Sequence, residues 1–306
     1  MIKVFIDGRE GTTGLQIDER LKNRSDIEVI RLSEELRKDV AARKDAINAS
    51  NVTFLCLPDA AAQEAVSLVE NEKTVIIDAS TAHRTKEGWA YGFPELSEKH
   101  RKAIASSKRI ANPGCYASGF IALVYPLVEA GILPRDYPLV CHAVSGYSGG
   151  GKKAIAQYED KERDISLDTP RLYALGLAHK HLPEITKVCS LLRTPVFNPY
   201  ICDYYSGMSV SVPLFCDLLK AGTTKEQIEQ ILTEHYANSH FVKVKKEEGY
   251  LSANALVGTN NMELFVNGND ERILLTATLD NLGKGASGAA VQNMNIALGL
   301  DEKLGL

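Results

Sequence analysis

Ile2-Lys3-Val4-Phe5-Ile6-Asp7-Gly8-Arg9-Glu10-Gly11-Thr12-Thr13-Gly14 decides the fold. An apolar run of strand length ends in a G-x-x-G-x-x-G turn, and a helical pattern follows. Glycines at such a turn let the backbone approach a pyrophosphate, and the open amides at the helix start bind an anion. The spacing is looser than G-x-G-x-x-G, and a plain strand-to-helix turn has the same look. Position favours the nucleotide loop, because it follows the first strand and opens the first helix. Gly8, Arg9, Gly11, Thr12, Thr13 and Gly14 are therefore expected at a cofactor.

Working outward, residues 27–32, 52–57 and 75–78 read as further strands, each a continuous apolar run. Continuous runs indicate burial on both faces, as in a parallel sheet covered by helices. Helical patterns at 14–23, 34–49 and 60–71 alternate with them, which predicts a Rossmann-like, doubly wound α/β sheet. The second half has another rhythm. Residues 208–215 alternate, Thr223 and Glu226 have capping-box spacing, and Asn267-Gly268 separates two strand-like runs as a hairpin turn would. This predicts a second α+β domain with a mixed or antiparallel sheet. Residues 1–114 and 285–306 are expected to form the dinucleotide-binding domain, and 115–284 the catalytic and oligomerisation domain.

The chain has 306 residues, 44% hydrophobic and 24% charged, with a formal charge of −4. That is an ordinary globular balance for about two domains. Nucleic-acid binding rests on a concentrated positive patch, and none is present; Lys243, Lys245 and Lys246 fit a solvated edge strand. The most apolar stretch, 116–133, is interrupted by Ser118, Pro126 and Glu129, so no membrane partner is expected. Six cysteines without framework spacing, and no leader pattern, point to a reduced, cytoplasmic protein.

Arg31 and Ser33 end the second strand, where an NAD enzyme would carry an acid; they suit the 2′-phosphate of NADP. Further on, 145–153 fits G-x-x-x-x-G-K through Gly146, Gly151 and Lys152. Lys153 stands where a magnesium ligand belongs, which demotes a triphosphatase. Asn112-Pro113-Gly114-Cys115-Tyr116 places Cys115 at a helix N-terminus. There the dipole lowers a thiol pKa from about 8.5 into a range of roughly 3.5–7.5, marking Cys115 as the nucleophile. His179-Lys180-His181-Leu182-Pro183-Glu184 is the densest polar cluster. It offers an acid/base and an orienting carboxylate, but spacing alone does not choose between His179 and His181. With no third ligand at a recognised spacing, no metal is implied.

Together these segments, with Asp78–Arg84, Tyr91–Leu96 and Asp280–Gly288, resemble the shorter form of the N-acetyl-gamma-glutamyl-phosphate reductase family. The glycine loop and D-N-L-x-K-G-A are also similar to aspartate-semialdehyde dehydrogenases. The resemblance implies an oxidoreductase of arginine biosynthesis, in which NADPH reduces N-acetylglutamyl 5-phosphate to the semialdehyde with release of phosphate. It implies that Cys115 forms a thioester, that His181 is the acid/base and that Glu184 orients it. It also implies that Asn281 and Gly285 contact the nicotinamide and that Arg84, Lys152 and His179 bind substrate. A homodimer or homotetramer is implied as well. A carrier-linked aminoadipyl or an aspartyl phosphate reductase, and a non-catalytic NADP-binding protein, are the alternatives.

Overall fold

Four of the early apolar runs become parallel strands in the computed structural model, which describes residues 1–306. The chain runs β1 (Ile2–Asp7), α1 (Thr12–Leu21), β2 (Ile27–Ile30), α2 (Val40–Ala49), β3 (Val52–Leu55), α3 (Asp59–Ser67), β4 (Val75–Asp78), β5 (Ala90–Tyr91), α4 (Glu98–Ser106) and β6 (Arg109–Ala111). It continues with α5 (Cys115–Glu129), β7 (Val140–Gly146), α6 (Gly151–Glu159), β8 (Arg171–Leu172), α7 (Leu182–Val188), β9 (Val196–Cys202) and β10 (Met208–Phe215). Then come α8 (Lys225–His235), β11 (Val242–Lys245), β12 (Met262–Gly268), β13 (Arg272–Leu279) and α9 (Gly288–Ala297). Met1–Gly114 with Ala286–Leu306 form one compact unit, and Cys115–Gly285 the other.

The first unit's sheet is parallel throughout, in the order β2-β1-β3-β4-β6-β5. Every residue of β3 and β4 is buried, because both faces are covered. Val4, Ile6, Phe54 and Ile77 pack with Ile17 of α1 and Val291 and Met294 of α9 on one side. Phe5, Leu55 and Ile76 pack with Ile47 of α2 and Ala62 and Ala65 of α3 on the other. Each such side chain contributes roughly 1.5–3 kcal/mol when fully buried. Because β1 lies between β2 and β3, the order reverses there, and the crevice for a ligand opens at the ends of β1 and β3.

The second unit holds a mixed sheet, β11-β12-β13-β10-β7-β9-β8, with α5 and α8 packed against it. In β10, Met208, Val210, Val212 and Leu214 are buried while Ser209, Ser211 and Pro213 are half-exposed, which is the expected alternation. β11 is one of the two edge strands, and Lys243 and Lys245 are exposed on it.

Three local expectations shift. The helix read from residue 34 begins only at Val40: Ser33 O accepts the Leu36 and Arg37 amides in a turn, and Asp39 Oδ1 then caps the helix at Ala42 N (2.8 Å). The α8 cap is Thr224, whose Oγ1 accepts Gln227 N (3.2 Å), because T-x-x-Q satisfies the same pattern one residue later. The hairpin forms, but Asn267 and Gly268 belong to β12; Asn269 makes the turn, its Oδ1 accepting from the amides of Glu271 and Arg272. No helix is long and apolar enough to cross a membrane.

Candidate active site

In the first unit, Gly8 leaves β1 at φ +81°, and a Cβ there would meet Cys56 O at 2.4 Å. Only glycine lets the loop lie this close to the end of β3. Gly11 N donates to Gly8 O (2.9 Å), and the first helical bond is Leu15 N to Gly11 O. The amides of Thr12, Thr13 and Gly14 therefore have no acceptor within α1. Thr12 Oγ1 beside them is buried without a partner.

A cavity of about 590 Å³ opens beside this loop, lined by Gly8, Arg9, Gly11, Arg31, Arg37 and Lys38 among others. Arg9 and Arg31 both reach Asp18 of α1, at 2.7 and 3.0 Å. Ser33 does not line the cavity; its carbonyl holds the turn before α2, and its side chain is exposed. Arg37 and Lys38 take its place, hidden from a sequence reading that put both inside a helix. Arg43, also at the cavity wall, is paired with Asp7 (3.0 Å) and Glu64 (2.9 Å). Burial raises the Asp7 carboxyl, and Arg43 opposes that shift.

Arg84, expected at the substrate, makes backbone contacts within its own unit. Its guanidinium donates to Asn112 O and Ala79 O, both at 3.0 Å. Asn112 in turn sends its N–H to Asp78 O (2.8 Å) and Nδ2 to Ala286 O (3.0 Å), and accepts Asn293 Nδ2 on Oδ1 (3.1 Å). Arg84 thus braces the chain just ahead of Pro113-Gly114-Cys115.

In the second unit, Cys115 is the first residue of α5. Gly285 lies against it: a Cβ at that position would sit 2.8 Å from Cys115 Cβ. Burial, reinforced by the charge of Cys115, pushes the Tyr173 phenol up to about 12. Tyr116 is raised for the same reasons, with Tyr173 beside it. Tyr173 Oη lies 3.3 Å from His179 Nε2, and His179 Nδ1 accepts the His181 amide at 3.1 Å. His181 is the buried N-cap of α7, and Glu184 is buried in that helix's first turn. Cys115, Tyr116, Tyr173, His179 and His181 thus form one polar cluster. Tyr173 is a member that sequence reasoning did not name.

Asn281 and the second glycine loop are committed inside this unit. Asn281 Oδ1 accepts Gly207 N (2.7 Å), and Nδ2 donates to Ser148 Oγ (3.0 Å). Its amide holds the loop's fold. The amides of Gly146, Tyr147 and Ser148 donate to Gly207, Tyr204 and Tyr205 carbonyls. Those three donors are therefore used within the protein. Lys152 is exposed in the first turn of α6.

Residues 3–104 match the semialdehyde dehydrogenase NAD-binding domain, and 115–281 the semialdehyde dehydrogenase dimerisation domain. An N-acetyl-gamma-glutamyl-phosphate reductase of Burkholderia cenocepacia is 48% identical over 97% of each chain. One from Nostoc sp., an N-acetyl-gamma-glutamyl-phosphate reductase 2, is 46% identical over 99% of each. The chain belongs to the N-acetyl-gamma-glutamyl-phosphate reductase family. The fold of these reductases is shared more widely. An aspartate semialdehyde dehydrogenase from Francisella tularensis superposes with a TM-score of 0.74 at 16% identity, over 97% of this chain and 99% of that one. A Vibrio cholerae aspartate semialdehyde dehydrogenase II gives 0.71 at 15%, over 97% and 98%.

Proposed function

We propose that the chain reduces N-acetylglutamyl 5-phosphate to N-acetylglutamate 5-semialdehyde with NADPH, releasing inorganic phosphate. The observation that carries the chemistry is Cys115 at the start of α5, within the Tyr116–Tyr173–His179–His181 cluster. The first unit fits the cofactor: a glycine cradle, three amides at a helix start, and a cavity flanked by arginines. Gly8, Gly11, Thr12, Thr13 and Gly14 hold the pyrophosphate, and Arg9 and Arg31 the 2′-phosphate.

His181 takes the Cys115 proton, and the thiolate attacks the acyl carbon. The carbon–oxygen bond to phosphate breaks, and a thioester remains on Cys115. NADPH, when bound, supplies the hydride that reduces this thioester. The carbon–sulfur bond then breaks, the aldehyde leaves and His181 returns the proton to sulfur.

His181 is the acid/base of the two histidines for a geometric reason. The His181 N–H occupies His179 Nδ1, so neutral His179 carries its proton on Nε2, facing Tyr173. His179 therefore positions the start of α7, and Glu184 orients the His181 ring.

The family's dimerisation domain and the half-exposed sheet face, with Ser209, Ser211 and Pro213 of β10 and Asn198 of β9, support a homodimer formed through that face.

The reaction is tested in reverse, since acyl phosphates decompose readily. NADP, inorganic phosphate and N-acetylglutamate semialdehyde should give phosphate-dependent nicotinamide reduction. Activity with aspartate semialdehyde alone would overturn the substrate and keep the chemistry. Silence with both would overturn the assignment.

A further inference from the structure

We infer that Asp18 sets the preference for a 2′-phosphorylated cofactor by holding Arg9 and Arg31 together as one clamp. The inference rests on the NADP assignment above and adds the residue that makes its arginine pair a site. Asp18 lies in the second half of α1, and its side chain is only 15% exposed. Oδ2 accepts Arg9 Nη2 at 2.7 Å, and Oδ1 accepts Arg31 Nη2 at 3.0 Å. One carboxylate thus links the glycine loop to the chain just past β2.

Two guanidinium groups brought to one place repel, and each carries rotamer freedom that a ligand would have to remove. A carboxylate between them offsets the repulsion and fixes both side chains before a ligand arrives. The trio keeps one net positive charge. Arg31 remains half exposed, and the Arg9 side chain is about a third exposed. Donors therefore remain for a phosphate.

The same geometry explains why an acid near this crevice does not select NAD. In NAD sites the carboxylate accepts from the ribose hydroxyls. Here both Asp18 oxygens are taken by arginines.

The test titrates the full-length protein with adenosine 2′,5′-bisphosphate and with 5′-AMP, which differ only in the 2′-phosphate. Wild type should bind the bisphosphate more tightly. Asp18→Ala should weaken the bisphosphate about tenfold, the effect of releasing rotamer-rich side chains, with little change for 5′-AMP. Asp18→Asn should weaken it less. In turnover, the NADPH KM should rise while kcat and the NADH KM hold, a split that general loosening of α1 would not produce. In an Arg9→Ala/Arg31→Ala background, Asp18→Ala should have no further effect.

Unchanged or tighter bisphosphate binding in Asp18→Ala would overturn the clamp and leave the NADP assignment standing. Equal affinity of wild type for the two probes would overturn the NADP assignment and the clamp with it.

Discussion

Cys115 differs from the other five cysteines in where its sulfur stands. Burial pushes the thiols of Cys56, Cys141, Cys189, Cys202 and Cys216 up, Cys56 to about 12, whereas Cys115 is the first residue of an α-helix. Iodoacetamide at neutral pH should therefore modify Cys115 first and remove activity in proportion, as peptide mass mapping will show. Cys115→Ser should abolish turnover and leave NADPH binding unchanged; near-normal turnover would end the thioester route. The histidines give a second test at this scale. His181→Asn should cost roughly 10²–10⁴ in rate. His179→Asn, whose Oδ1 stands where Nδ1 accepted the His181 amide, should keep most of the rate, and His179→Ala should not. An equal loss in both asparagine variants would assign the proton transfer wrongly here.

At the scale of elements, Asn112 joins β6 to its surroundings through every polar group it has. Its partners lie on β4, the Arg84 turn, Ala286 and α9. Asn112→Ala would leave Ala286 O and Asn293 Nδ2 short of a partner, and each such group costs about 1–3 kcal/mol when buried. Thermal unfolding of Asn112→Ala should therefore shift down by several degrees; an unchanged midpoint would show that these bonds are replaced by water. Sequence patterns reached β1 to β4 of the first sheet because each is a local, continuous apolar run. They did not reach β5 and β6, which are only two and three residues long. Nor did they reach β9, where Pro199 argues against a strand. Proline is tolerated there because β8, on that side, pairs only Tyr200 and Ile201. Helix starts shifted for a related reason: Thr223 and Thr224 both satisfy a capping pattern, and only packing selects one.

At the scale of the whole molecule, the first unit is discontinuous, since α9 returns to complete its core. The second unit presents a sheet face of half-exposed small and polar side chains centred on Ser211, which pairs across the sheet with His142 and Thr276. Ser211→Arg places a charge at the middle of that face. Sedimentation should show an assembly of at least two chains for the wild type and a shift to monomer for the variant. An unaltered assembly would move the interface elsewhere.

The amino-acid sequence by itself determined the alternating strand–helix order, the glycine loop and the single cysteine at a helix start. Each is written within a dozen neighbouring residues, where backbone preference and apolar periodicity act. Only the tertiary structure decided which polar groups are spent. Arg84 is taken by Asn112 O, Asn281 by Ser148 and Gly207, the Gly146–Ser148 amides by residues 204–207, and His179 Nδ1 by the His181 amide. All but the last of these partners lie far along the chain. A hydrogen-bonding group inside a protein is defined by what satisfies it, and only folding brings those partners together.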